Sequence, residues 1–415
     1  MTTTDLPPTA GILEGIKVVE CSTWGFGPLC GVMLGDLGAD VVKIESPIAP
    51  DGARAMIFAG GMDLRLPDGQ ATTFETMNRS KRSLAVDLKK AQGVALVKDL
   101  AKEADIFLEN FRPGVLDRLG VGYEALRQVN PRIIYAAACG YGFKGEEVER
   151  PAYDPVGQAR SGLMWSNGRP GDPPQWNNRA LADMAGASLL AYGVLGALWA
   201  RERQGIGQRV EISHIQATLW IQHWGIGNAF LKGMDEWPRF DRDRAASPIA
   251  NWYRCADDRW IMLSITDAER DWPKFCEAMG LQSLVDDERF CSIEARAKNS
   301  RALIALLDEL FASEPFVEWE RRLKTQPDLI FDRVQKVGDL LTDPAVQANE
   351  YVVEVDHPRY GPQPYLNHPV TFTETPGRIR GVAPELGQHS AEVLTQWLGY
   401  DDEQIAELVI AGVVG

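Results

Sequence analysis

Histidine is scarce in this chain and unevenly spread: there are five, and none precedes His214. Histidine-dependent chemistry built from the first half alone is thereby excluded. The six cysteines (Cys21, Cys30, Cys139, Cys255, Cys276 and Cys291) form no CxxC pair and no metal spacing. No metal site is expected from them, and they read as reduced thiols of a cytoplasmic protein. Positive charge is in deficit, with 43 Lys and Arg against 58 Asp and Glu and a formal net charge of −15. That argues against a nucleic-acid partner, although a local basic pocket for a small anion stays possible. Met1–Gly11 has neither a basic start nor an apolar run, so no secretory signal is expected. Internal repeats and low-complexity tracts are missing. What remains, 45% hydrophobic and 24% charged residues in a chain of 415, is the composition of a globular protein with two or three domains' worth of core.

The first half alternates strands with helices. Lys17–Ser22 is a short apolar strand, Leu29–Leu37 a helix and Asp40–Glu45 the next strand. The turn between them, TWGFGPLCG, follows GxGxxxG, so it departs from the dinucleotide fingerprint GxGxxG. Strands at Leu84–Asp87, Asp105–Glu109 and Arg132–Ala138 follow, with helices at Ala91–Glu103, Val115–Leu119 and Tyr123–Val129. This alternation predicts an α/β fold with a parallel sheet, whose ligands bind beyond the carboxyl ends of the strands. The loops there carry Thr23–Phe26, Lys81, Asn110–Arg112 and Cys139–Tyr141, which places basic groups where a phosphate-bearing ligand fits.

Tyr141–Asn178 is irregular and rich in Gly, Pro and Trp, as active-site loops often are. It runs into the stretch on which the chain turns: Asp183, then no charge until Arg201. At roughly 17 uncharged residues the run touches the lower edge of the membrane-spanning range. Its Ala, Gly and Ser content and the charged segment behind it predict a buried core helix and no membrane partner. Asp183 at the helix mouth fits two roles. It is a cap for the free backbone N–H groups there, or a nucleophilic carboxylate aimed at an electrophile.

Composition changes near Gly233. Asn251–Thr266 reads as a hairpin with an Asp-Asp turn. Helices are predicted at Trp272–Met279, Val285–Phe290, Arg301–Phe311 and Val317–Lys324, together a smaller α+β domain. Asp339–Asn349 is a helical connector, Tyr351–Val355 and Val370–Phe372 read as strands, and helices end the chain.

The segments GIKVVECSTWGFGPLCGVMLGDLGADVVKIESP, NRSKRSLAVDLKK, LENFRPGVLDRLGVGYEALRQVNPRIIY, GYG, DPVGQARSG, RQGIGQRVEIS and LGQHSAEVL occur in that order. Together they resemble the family III CoA-transferases, which include formyl-CoA transferase, carnitine CoA-transferase and α-methylacyl-CoA racemase. The resemblance spans almost the whole chain and is weakest at Arg239–Asn251. It implies a large Rossmann-like parallel-sheet domain (1–230 and 345–415) and a smaller α+β domain (231–344). It further implies interlocked, ring-shaped dimers, either of one chain or of two related chains. CoA, a substrate and not a tightly bound cofactor, would lie against Gly25, Phe26, Lys81, Asn110, Phe111, Arg112, Arg118, Cys139, Gly140 and Tyr141. Asp183 aligns with the family's nucleophile. It would take the donor acyl group as a mixed anhydride and then CoA as an aspartyl thioester, before passing CoA to a free carboxylic acid.

Three departures bear on substrate and reaction. The racemase branch carries its histidine in a GHD motif, and the matching run here is Ala152-Tyr153-Asp154. Tyrosine, with a reference pKa near ~10, is a poor neutral-pH base, so transfer is favoured over racemisation. The glycine-rich loop of formyl-CoA transferase is replaced by RAASPIANW, and a glutamine near its catalytic carboxylate by Gly25. Trp24, Phe26, Trp165, Trp176, Trp220 and Trp224 fall in or near the segments expected to line the site, or else pack the core. With Trp24, Tyr153 and Trp220 as substrate contacts, the expected acceptor is a bulkier apolar or aromatic acid. The competing readings are a racemase and a non-catalytic subunit of a heteromeric transferase.

Overall fold

The computed structural model describes Gly11–Gly415; the reading of a leaderless start falls almost wholly outside these residues. The β-branched runs form six parallel strands of one sheet: Lys17–Cys21, Asp40–Glu45, Arg82–Ala85, Ile106–Glu109, Ile134–Cys139 and Arg209–Ser213. Across the sheet they run third, second, first, fourth, fifth, sixth. Val19 pairs with Val42 on one side and Phe107 on the other, so the winding reverses between the first and fourth strands. Such a switch point opens a crevice at the strands' carboxyl ends.

Alternation along each strand feeds two cores. Val19, Val42, Leu84 and Phe107 point to a layer completed by Leu96, Leu100, Val393 and Trp397. Val18, Val41, Ile106 and Ile134 point the other way, under helices Phe26–Asp36 and Leu181–Gln204. Small residues let those two helices approach closely: a Cβ on Gly186 would stand 2.4 Å from the Phe26 ring. The helix Leu181–Gln204 is long and apolar enough to cross a membrane by length and composition. It is buried on one face only, correcting the expectation of a core helix, because Tyr192 and Trp199 are 76% and 64% exposed on the other.

Two compact units divide the described chain. One holds the residues up to Trp165, Gln175–Trp237 and Glu350–Gly415; the other holds Ser166–Pro174 and Pro238–Asn349. The smaller unit has its own antiparallel sheet, Trp252–Arg254, Trp260–Leu263 and Phe331–Arg333, over a core of Tyr253, Phe275, Phe311 and Trp319. The segment Arg244–Trp252 is tied into that core. Ile249 is fully buried, Tyr253 Oη donates to the Pro248 carbonyl at 2.6 Å, and Ile265 N–H donates to Ile249 O.

Three expected elements differ. Val285–Phe290 is a turn, since the Asp287 carbonyl accepts from Phe290 and Cys291 N–H while its side chain accepts from Arg289 N–H. Val370–Phe372 is not a strand. Val352–His357 pairs instead with Gly361–Leu366, whose Pro362 and Pro364 disguise it as a loop. A two-stranded ribbon has only edge strands, where proline is tolerated on the unpaired side. Within Tyr141–Asn178, Asp154–Arg160 and Leu163–Ser166 are helical.

Candidate active site

The loop after the first strand and the residue after the sixth meet at the head of helix Leu181–Gln204, through Gly25 and His214. Ala180 precedes that helix with a left-handed backbone (φ 52°) and no side chain able to cap it. The cap comes from elsewhere: Asp154 Oδ2 accepts from Ala182 N–H at 2.6 Å and Asp183 N–H at 3.2 Å. Its other oxygen accepts from Gln158 Nε2 at 2.6 Å. Asp183 is therefore not the cap. It sits inside the first turn, with its side chain released for other use. Asp154→Ala is expected to lower stability by about 1–2 kcal/mol, the range for a lost cap, as read by denaturant titration. Turnover should fall with it, because the Asp183 backbone loses its anchor.

Two neighbours hold the Asp183 carboxylate. Oδ1 lies 2.7 Å from His214 Nε2, and Oδ2 faces Gly25, where an added Cβ would stand 2.7 Å away. His214 follows the sixth strand directly, opening the helix His214–Ile221. Its ring stacks on Phe26 at 4.7 Å, and Gly157 leaves room behind it, since a Cβ there would be 2.5 Å from His214 Cβ. His214 is only 6% exposed, and its Nδ1 finds no partner among the described residues. Sequence reasoning did not single out His214. The available signal was its position at a parallel strand's carboxyl end.

Trp24 carries a positive φ of 67°, rare for a bulky residue. Asp51 Oδ1 accepts from its N–H at 2.9 Å, and Gly52 abuts its ring. So held, Trp24 packs edge-to-face on Tyr153 at 5.7 Å, and Tyr153 is 61% exposed. Trp220 is elsewhere: it lines an apolar groove of about 730 Å³ with Leu189, Tyr192, Val210 and Phe230, a lining that does not include Asp183. Trp224 packs on Trp237, and Trp165 Nε1 donates to Glu236.

At the switch point, Asn110 clips the Thr23 turn by accepting from Thr23 N–H at 2.8 Å and donating to Thr23 O at 2.7 Å. Beside it is a cavity of about 260 Å³ lined by Ile44, Val86, Phe111 and Leu119, with Ser46 and Lys89. Arg112 and Arg118 are exposed nearby in sequence, the latter against Gly114. Lys81 is not a rim cation. Its ammonium is buried, 2.8 Å from Glu20 Oε2, and donates to the Pro28 and Met77 carbonyls and Asn78 Oδ1. Burial pulls it down to about 8 against the opposing pull of Glu20. The lysine at the cavity is Lys89, eight positions on, which sequence reasoning passed over.

Gly140 is pinned against Ala152, where a Cβ would stand 2.2 Å from the alanine methyl. Tyr141 lies under Arg150, 5.1 Å from its ring centre. Cys139 is buried, and burial pushes its thiol up to about 12, so it is no thiolate nucleophile. Burial likewise pushes the Glu109 carboxyl up to about 8, while Oε2 accepts from Phe111 N–H at 2.8 Å. Among the described residues no cluster could hold a metal. The described residues thus hold a carboxylate, Asp183, paired with His214, and a separate mostly apolar slot with Lys89 in its lining.

Comparison with known proteins gives the family. The family model for CoA-transferase family III matches residues 13–390, and the chain belongs to that family. It is 32% identical to the (R)-2-hydroxy-4-methylpentanoate CoA-transferase of Clostridioides difficile, covering 95% of this chain and 97% of that one. It is 30% identical to the succinyl-CoA:glutarate CoA-transferase of Homo sapiens, covering 97% and 90%. Among solved structures, a CAIB/BAIF family protein from Brucella suis superposes with a TM-score of 0.82 at 28% identity, covering 94% of this chain and all of that one. The protein is a CoA-transferase that uses CoA thioesters as substrate.

Proposed function

We propose that Asp183 is the covalent nucleophile and that the acceptor is a branched or aromatic carboxylic acid. The observation that carries the first part is the division of labour at the helix head. Asp154 takes the capping bonds, so Asp183 keeps an oxygen facing Gly25 with no side chain in the way. Attack by that oxygen on the donor thioester expels CoA thiolate and leaves a mixed anhydride. Thiolate attack on the aspartyl carbon releases the donor acid and leaves aspartyl-CoA, which the acceptor acid then discharges by the reverse steps.

The slot of Ile44, Val86, Phe111 and Leu119 suits the adenine end of CoA, with Lys89, Arg112 and Arg118 as phosphate partners. Phe26 and Cys139–Tyr141 border the path from there to Asp183. Trp24 and Tyr153 flank the nucleophile as an apolar wall, which supports an acid with a ring or branched chain. The relatives named above act on a branched hydroxy acid in one case and glutarate in the other. Racemisation is less well supported, because the one imidazole at the site has Nε2 on Asp183 and Nδ1 buried. With the hydrogen on Nε2, the ring's lone pair is on Nδ1, which is buried and not presented to an α proton. The exposed face of Tyr192, Trp199, Trp220 and Phe230 suits contact with a second copy of the chain, which native mass reads directly. All six thiols are free, in keeping with a reducing, cytoplasmic setting.

The acceptor reading is tested with succinyl-CoA and acetyl-CoA against phenylacetate, 2-hydroxy-4-methylpentanoate, glutarate and oxalate. The first two acids should give the higher kcat/KM. Activity confined to glutarate and oxalate would remove the aromatic-wall assignment.

A further inference from the structure

We propose that His214 is a catalytic residue, with its Nε2–H holding Asp183 Oδ1 as the carboxylate's permanent oxygen. In that place it stabilises the negative charge that forms on Oδ1 twice in each cycle. The proposal rests on Asp183 being the nucleophile. A carboxylate can only accept, so Nε2 carries the hydrogen in the 2.7 Å contact. The ring cannot easily turn away, being stacked on Phe26, backed by Gly157 and nearly fully buried. Its Nδ1 has no partner among the described residues, so the Asp183 bond is what orients it.

The two oxygens of Asp183 therefore have different fates. Oδ2, on the Gly25 side, attacks the thioester carbon, the C–S bond breaks and CoA leaves as thiolate. When thiolate attacks the aspartyl carbon, the carbonyl electron pair moves onto Oδ1, directly against the His214 donor. Collapse expels the donor acid, which carries Oδ2 away with it, and leaves an aspartyl thioester whose one oxygen is Oδ1. Attack by the acceptor carboxylate again places the charge on Oδ1 and expels thiolate. Thiolate then takes the acceptor acyl group, and Asp183 regains a second oxygen from the acceptor acid. Each turnover thus replaces Oδ2 and retains Oδ1, provided the carboxylate does not flip.

The test uses the acyl-CoA that turns over in the acid screen, with an excess of its own acid labelled with oxygen-18 in the carboxyl group. After many turnovers the Asp183 peptide is weighed. Wild-type protein should gain one heavy oxygen and stop there, whereas His214→Leu, lacking the donor, should drift to two. The leucine variant should also lose about 10²–10³-fold in kcat, the scale for one oxyanion donor. His214→Gln, which keeps an N–H donor, should recover part of that loss. Two heavy oxygens in wild-type protein, or a leucine variant with unchanged kcat and one, would overturn the assignment. No label in Asp183 would instead defeat the nucleophile reading, so the two failures are distinguishable.

Discussion

Replacing Asp183 with alanine is expected to abolish CoA transfer, lowering kcat by at least roughly 10⁴-fold, on the order seen when a covalent nucleophile is deleted. No neighbour can take over. Asp154 is the nearest carboxylate in the hydrogen-bond network, but its oxygens already accept from Ala182, Asp183 and Gln158. Cys139 holds its proton, with burial raising the thiol to about 12. Stability should barely change. An acidic side chain in a first helical turn contributes about 0.3–1 kcal/mol through the helix dipole, and the cap bonds stay with Asp154. Measuring kcat and the denaturation midpoint on the same preparation separates the two roles Asp183 fits by sequence. A cap would lose stability, and a nucleophile would lose activity. A variant that keeps its activity would end the covalent account.

Gly25→Ala should be nearly as selective, and for a different reason. Gly25 has φ −109° and ψ −50°, a backbone conformation alanine adopts without strain. The obstacle is the new methyl group, 2.7 Å from Asp183 Oδ2, closer than any stable contact. The carboxylate must therefore shift or turn, and small misplacements of a reacting group cost about 10²-fold in rate. We expect kcat to fall by about that factor with a melting temperature close to wild type. Comparing Gly186→Ala sharpens the point: its methyl would press on the Phe26 ring, 2.4 Å away, and reach Asp183 only through His214. If Gly25→Ala turned over normally, Oδ2 would not be the attacking oxygen.

Much of the sheet was legible because its strands are local patterns: short, nearly continuous apolar runs, buried on both faces, between helical segments. Asp183 was legible as a lone charge before an apolar helix. Its partners were not, since they are joined only by tertiary folding. His214 lies 31 residues on, at the end of a different strand, and Asp154 lies 29 residues before, in a stretch that read as irregular. Lys81 and Lys89 fall in the same basic run, and only the fold decides that one points into the Glu20 cluster and the other towards the cavity. The strand Gly361–Leu366 was hidden by its prolines, which an edge tolerates and a sequence pattern penalises. The tryptophans divided: Trp24, next in sequence to Gly25, packs on Tyr153, while Trp220 faces the exposed groove.

The covalent account stands or falls on one intermediate. Protein mixed with an equimolar acyl-CoA in the absence of acceptor acid, quenched and weighed intact, should gain the mass of CoA less one water. Digestion should place that mass on the Asp183 peptide, and hydroxylamine should exchange it for a hydroxamate at Asp183. Turnover of the acyl-CoA with no adduct at Asp183, or with CoA carried on another residue, would contradict it.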